Sequence, residues 1–363
     1  ITAKATEINI FFDTQNVVLK ILDNGIGMSK SELEKNMVIG CKDPLDKREK
    51  SDLGRFGSGM KMASFSQTHK LSVITRKQNS DNSGIFYDVD EIYESDKWVM
   101  HELEKEELTD TAFDQNYKSG TLVIWKNLIK YKNKDPDDIV SEMGADVKDL
   151  ENHIALHFHK FLEGPRAIKI CINNLEIKPA NPFFQDRKGY QYVGKEEAFT
   201  GGGRITVKAH IIPHHDYMTK AEIDSFGGLE KIENGQGIYI YREKRLIQYG
   251  GWMGLQPRFS IAKLARVEVE VPSTLDHEWA TDVKKSEMQL PPKAKRILKK
   301  LITQPIKRSG GEHIYRGKKE ENNKFWFLRD NKRTKDLTYV ADINNSLLMK
   351  IIDDLPLEKR KDI

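Results

Sequence analysis

An apolar run, Val17-Val-Leu-Lys-Ile-Leu, ends on Asp23, and two glycines follow at once in Asp23-Asn-Gly-Ile-Gly-Met28. A carboxylate at the end of a strand can accept a hydrogen bond from the exocyclic amine of a flat base. Gly25 and Gly27 let the backbone turn sharply and come close to such a ring. Met28 supplies a flexible apolar side chain to lie against it. Further along comes a second group: Gly54, Arg55, Phe56, Gly57, Ser58, Gly59, Met60 and Lys61. Its three glycines expose backbone N–H groups with no side chain in the way. A helix opening behind them would point its positive end at an anion, with Lys61 adding charge nearby. Each motif alone is weak. Asp-Asn-Gly is a common turn, and spaced glycines often serve backbone geometry only.

These residues need elements to hold them. Residues 6–13 and 17–23 read as two strands of a hairpin, with Thr14-Gln-Asn as the turn. Ser29 and Glu32 form a capping-box pattern and predict a helix over about 30–38. Residues 40–58 carry no period and read as a long loop, of the kind that in compact domains is functional or mobile. Met60–Gln67 reads as a helix. Leu71–Arg76, a stretch near 85–90 and Thr121–Trp125 read as strands. An apolar period predicts a helix over 146–162, and Ala167–Ile177 reads as a hairpin turning at Asn173-Asn174. Pro179, Pro182 and Gly201-Gly-Gly mark a composition shift over about 180–203, where a boundary is expected. Beyond it, strands are expected near 204–212, 237–241 and 266–271, and helices near 219–225 and 292–302. Residues 309–334 read as a polar loop, and a last helix is expected over 344–353.

The chain has 363 residues, 38% hydrophobic and 31% charged, with a net charge of +4. That length allows two domains. No apolar run approaches the roughly 20 residues of a membrane span, and Ile1-Thr-Ala-Lys-Ala has no apolar signal core. Cys41 and Cys171 stand far apart, which fits a reducing cytosol and argues against a structural zinc site. The charge permits a nucleic-acid partner without requiring one.

The two motifs in this order, with Gly120-Thr121 leading into a later strand, resemble the GHKL superfamily of type II topoisomerases, MutL proteins, heat-shock chaperones, histidine kinases and MORC proteins. The resemblance implies an α/β fold: a two-layer α/β sandwich (the Bergerat ATP-binding fold), followed by a βαβ transducer domain of ribosomal-protein-like fold. ATP would lie between the helical layer and a lid at about 39–58. It would touch Asp23, Asn24, Gly25, Gly27, Met28, the residues from Gly54 to Lys61, and Thr121, which is expected beside Asp23. Gly237-Ile-Tyr-Ile-Tyr-Arg-Glu-Lys-Arg-Leu-Ile, with Gly-Gly-Trp252, looks like the second domain of MORC and MutL proteins. There a lysine reaches the γ-phosphate. Lys285 in Asp282-Val-Lys-Lys-Ser-Glu287 matches it best, with Lys284 as the alternative.

The implied division is 1–185 for ATP binding, 186–308 for the transducer, and 309–363 for a polar loop and C-terminal helical segment. The implied function is a cytoplasmic ATPase using ATP and Mg²⁺, a clamp that forms a homodimer on binding ATP, with DNA and operon-encoded proteins as partners and phage defence as a setting. A heat-shock-type chaperone and a nucleotide-gated module without turnover are the alternatives. In this superfamily a Glu and a Mg²⁺-binding Asn sit on a helix just before a segment like Ala3–Ile10, where this chain starts. They are expected in sequence upstream of Ile1, and neither Glu7 nor Glu32 is given the role.

Three weaker groupings remain. His153 and His157 would share a helix face without His159, and an ordinary helix surface is expected. His214-His215-Asp216 reads as a loop or cap. Lys284, Lys285, Lys293, Lys295, Arg296, Lys299 and Lys300 form a basic cluster, by default a solvated face, that could meet phosphates.

Overall fold

A hairpin starts the chain. β1 (Glu7–Asp13) and β2 (Val18–Asp23) pair antiparallel, from Ile8 opposite Asp23 to Asp13 opposite Val18. Asp13 closes the turn by accepting from the Gln15 and Asn16 amides, each at 3.0 Å. The computed structural model describes residues 2–40, 59–109, 113, 117–200, 203–275, 291–317, 326–330 and 337–341.

Six more strands join the hairpin: β3 (Thr68–Arg76), β4 (Ser83–Asp88), β5 (His101–Glu102), β6 (Gly120–Leu128), β7 (Lys169–Ile172) and β8 (Leu175–Glu176). The sheet runs β5-β4-β3-β6-β2-β1-β7-β8, and within it only β1 and β7 pair parallel. Helix α1 (Lys30–Met37) begins at the Ser29–Glu32 capping box and buries Leu33 and Met37 against Leu71, Val73, Ile85 and Tyr87. Helix α2 (Gly59–Phe65) follows, and α3 (Val89–Ser95) is capped by Asp88. Helix α4 (Pro136–His157) packs Ile139, Met143 and Ile154 over Ile10 and Leu19, and α5 (His159–Leu162) continues it after a break at Phe158. Helices α1 and α4 cover one face of the sheet. Leu22, Ile74, Leu122 and Ile124 on the other face meet Leu103, Leu108, Phe113 and Tyr117. The result is a two-layer α/β sandwich.

A second sheet holds β9 (Gln191–Thr200), β10 (Gly203–Ile211), β11 (Gly237–Arg242), β12 (Arg245–Tyr249) and β13 (Ala265–Val271), in the order β12-β11-β13-β10-β9. Helices α6 (Lys220–Ser225) and α7 (Leu229–Asn234) lie between β10 and β11 in sequence, and α8 (Pro292–Gly317) follows β13. β13 alternates, Ala265-Arg-Val-Glu-Val-Glu-Val271, so one face is apolar and the other charged. The apolar face, with Val207, Ile238, Val267 and Val269, packs under Ala294, Leu298, Ile302 and Ile306 of α8. The charged face is also covered. Lys160 of α5 places its ammonium 2.6 Å from Glu268 and 2.5 Å from Glu270, and 3.8 Å above the Tyr241 ring. A separate ribbon pairs β14 (Trp326–Asp330) with β15 (Leu337–Ala341). Among the described residues, no helix is long and apolar enough to cross a membrane.

Several elements differ from the sequence reading, four of them in ways that matter here. Helix α4 starts at Pro136, not at 146. The sequence reading passed over its opening turns, although Ile139 and Met143 already point into the core there, Pro136 holds the first helical position, and Asp137 and Asp138 in the first turn suit a helix start. β9 occupies much of the stretch read as a boundary. It is an edge strand with Lys195, Glu196 and Glu197 at its middle, charges of the kind that protect a free edge. Helix α8 runs on to Gly317, past position 309 where a loop was expected, and buried Ser309 anchors it by accepting from the Leu264 amide at 3.1 Å. β14 likewise falls within the stretch read as that loop. The helix expected over 344–353 and all but Gly40 of the loop expected over 40–58 lie outside the described residues.

Candidate functional site

Asp23, Thr121 and Thr75 stand side by side on β2, β6 and β3. Asp23 is directly opposite Thr121, and Thr121 directly opposite Thr75. Opposed residues share a face, so the three side chains form a row on the face that carries α1 and α4. The buried Thr75 hydroxyl donates to the Gly120 carbonyl at 2.8 Å and accepts from the Met28 amide at 3.0 Å. It also lies 3.1 Å from the Thr121 hydroxyl. A hydroxyl has one proton, so the proton in that last bond comes from Thr121, and the Thr121 oxygen keeps accepting capacity. One carboxylate oxygen of Asp23 accepts from the Gly25 amide at 2.8 Å. Burial pushes the Asp23 carboxyl above its usual range, against the opposing pull of backbone hydrogen bonds from Gly25 and Thr121. A partly desolvated carboxylate with few donors is a strong acceptor for an amine that arrives with its own protons.

The glycines serve the protein's own backbone. At Gly25 a Cβ would sit 2.5 Å from the Ala3 carbonyl oxygen, and at Gly120 2.0 Å from that of Asp23. Gly27 has φ of +65°, and a Cβ there would fall 1.8 Å from the Arg76 carbonyl oxygen. The turn after Asp23 is thus wedged between the start of the chain, the end of β3 and the start of β6. Asn24 binds these pieces: its carbonyl accepts from the Thr6 and Glu7 amides at 2.9 Å each, and its amide donates to the Thr6 hydroxyl at 2.9 Å. Ser119 adds a bond to the Gly25 carbonyl at 2.9 Å.

The other expected site residues divide. Met28 is half-buried beside α1, with Asn36 donating to its sulfur at 3.6 Å. Gly59 and Met60 open α2 at the surface. Lys61 departs from expectation. It is 1% exposed and donates to the Asn36 carbonyl at the end of α1 rather than standing out as a free charge. Trp125 ties α2 to the sheet by donating to Ser64 at 2.9 Å. Gly54, Arg55, Phe56, Gly57, Ser58, Lys284 and Lys285 lie outside the described residues. The two carboxylates set aside as bases are occupied. Glu32 caps α1 and pairs with Lys77 at 2.7 Å, and Lys77 first and then Ser29 hold it down at about 2. Glu7 pairs with Lys169 at 3.0 Å.

The sequence reading missed Thr75 and Ser119. Neither carries a motif: strand register reveals Thr75, and the bond to the Gly25 carbonyl reveals Ser119. His159 is also corrected: it is interior, not helix surface, and bonds Tyr241 at 2.8 Å. His153 and His157 do share a face and stack at 3.9 Å, and burial, then the charge of His153, lowers His157 to about 4. His214 caps the turn at 215–217 as read.

Residues 1–121 match the family model described as "Histidine kinase-, DNA gyrase B-, and HSP90-like ATPase". Comparison with curated protein sequences gives no match. The matched stretch ends on Thr121 and contains the whole row. It supports a GHKL-type ATPase domain there, and with it ATP binding and hydrolysis as the chemistry of that stretch.

Proposed function

We propose that this protein binds ATP with Asp23 accepting a hydrogen bond from the adenine amine and Thr121 beside it, and that it hydrolyses the nucleotide as an ATP-gated dimerising clamp of MORC or MutL type. The observation that carries the reading is the Asp23–Thr121–Thr75 row, set in a turn too tight for any side chain at Gly25 or Gly27. Asn24 braces that turn. Gly54, Gly57 and Gly59 would wrap the phosphates, and Lys285, or failing it Lys284, would reach the γ-phosphate. The MORC or MutL assignment rests on the likeness of Gly237–Ile247 with Gly-Gly-Trp252, a stretch in which β11 and β12 are joined at Glu243 and Lys244, both with positive φ.

ATP usually enters phosphoryl-transfer sites with Mg²⁺, which neutralises phosphate charge. The side chain of Asn24 is engaged with Thr6 and Glu7. Among the described residues, the one convergent group of metal-ligating side chains is His214, His215 and Asp216, beyond β10 in the second sheet region. No residue is therefore assigned to the ion, and no step is derived through it.

Two variants test the reading. Asp23→Ala should lose ATP binding in calorimetry while keeping its melting temperature. Lys285→Ala should bind ATP as the parent does and turn it over more slowly. Normal ATP binding by Asp23→Ala would sink the pocket, and unchanged turnover by Lys285→Ala would move that role to Lys284.

A further inference from the structure

The face of the second sheet that looks toward α4 lines an open-mouthed cavity of about 380 Å³ between Leu156 of α4, Phe184 and strands β11, β12 and β13. Arg266 lines it. The residue is 1% exposed, yet among the described residues it makes no ion pair. One terminal nitrogen donates to the Ile232 carbonyl, the other to the Lys263 carbonyl at 3.4 Å, and its Nε is buried with no partner. Carbonyl dipoles offset only part of a buried charge, and a guanidinium left so short of negative charge is costly. Arg258 and Lys231 line the same cavity, with Glu230 the one carboxylate among the lining residues.

The walls are aromatic. Tyr239 and Tyr249 stack with centroids 5.8 Å apart, and Phe184 meets Phe226 at 4.9 Å. The Arg266 guanidinium lies 5.5 Å from the Tyr239 ring centre. Flat apolar walls with a small number of fixed polar groups are the usual make-up of a small-molecule site, and the volume falls in the range of roughly 300–1,000 Å³ that such sites occupy. An arginine fork fits a carboxylate or a phosphate. We infer that this cavity is a second ligand site, built for a small planar ring bearing a phosphate or carboxylate group. The anion would face Arg266 and Arg258, and the ring would lie against Tyr239 and Tyr249. No residue of this cavity belongs to the Asp23 row.

The test is a calorimetric titration of the full chain with phenyl phosphate, benzoate and phenol. None is a nucleotide, so the Asp23 row is not probed. Phenyl phosphate or benzoate should bind, and whichever binds more tightly identifies the head group. Phenol should bind at least 10-fold more weakly than either. Arg258→Gln and Tyr249→Ala, at exposed or partly exposed positions, should each weaken the anion 10-fold or more. Arg266→Met should abolish binding. If that variant fails to fold, the other two decide. Failure of both anions to bind, phenol binding as tightly as they do, or unchanged affinity in Arg258→Gln and Tyr249→Ala would each overturn the proposal. So would an Arg266→Met variant that melts higher and still binds, since Arg266 would then be only a cap on the end of α7.

Discussion

Asp23 is useful because of what surrounds it. Its carboxylate is partly desolvated, and the backbone behind it is fixed by Asn24 and by glycines that admit no side chain. Asn24→Ala removes three hydrogen bonds, to Thr6 twice and to Glu7. At about 1 kcal/mol each, the expected loss is about 2–3 kcal/mol, read from the urea midpoint. A loss under half of that would mean that the turn holds its shape without Asn24. Gly27→Ala should cost about 3 kcal/mol or more, because a positive φ and a backbone collision fall on one residue. Wild-type stability in that variant would show that Gly27 is not so enclosed. At this scale the sequence was informative where chemistry and backbone freedom coincide, as in Asp23-Asn-Gly-Ile-Gly. It said nothing of Thr75, whose place beside Thr121 exists only through pairing across 46 residues.

At the scale of elements, the central contact is α5 against the charged face of the second sheet. Glu268 is 2% exposed and is met by Lys160, by Lys208 at 3.0 Å and by His210 at 3.3 Å. Burial alone would raise its carboxyl, but His210, Lys160 and Lys208 together hold it well below the usual range. A carboxyl depressed in the folded state stabilises above its unfolded value near 4.5, and that contribution is lost as pH falls below it. Lys160→Met should therefore cost about 3 kcal/mol at neutral pH, with a shallower loss of stability below pH 4.5 than the parent. Equal acid sensitivity in both would contradict the role given to Lys160. His157 acts in a different window. Its folded value of about 4 lies below the ordinary 6.5, so the unfolded chain binds more protons between them and stability rises with pH across that range. His157→Gln should flatten that rise in a series of urea titrations. The alternation in β13 was readable as a strand, but the burial of its charged face was not. Lys160 and Glu268 are 108 residues apart, and a charged strand face ordinarily signals solvent.

Across the whole molecule, the Asp23 row in the first sandwich carries the proposed nucleotide binding, and α8 presents a basic side. Lys295, Arg296, Lys299, Lys300, Lys307 and Arg308 are exposed on α8, and no Asp or Glu occurs from Pro292 to Ser309. If DNA is the partner, duplex affinity should fall steeply with salt, with a slope near −0.9 per phosphate contact. Lys299→Glu with Lys300→Glu should weaken binding at low salt by about tenfold or more, and absence of binding by the parent at low salt would remove DNA from the account. The basic run was visible in the sequence, whereas the extension of α8 to Gly317 was hidden by glycines and polar residues that read as loop. Nucleotide recognition by Asp23 is tested by titrating the parent and Asp23→Ala with ATP in a calorimeter. A saturable heat for the parent, lost in an Asp23→Ala variant with an unchanged melting temperature, is the predicted result. ATP binding of equal affinity in both proteins would contradict it.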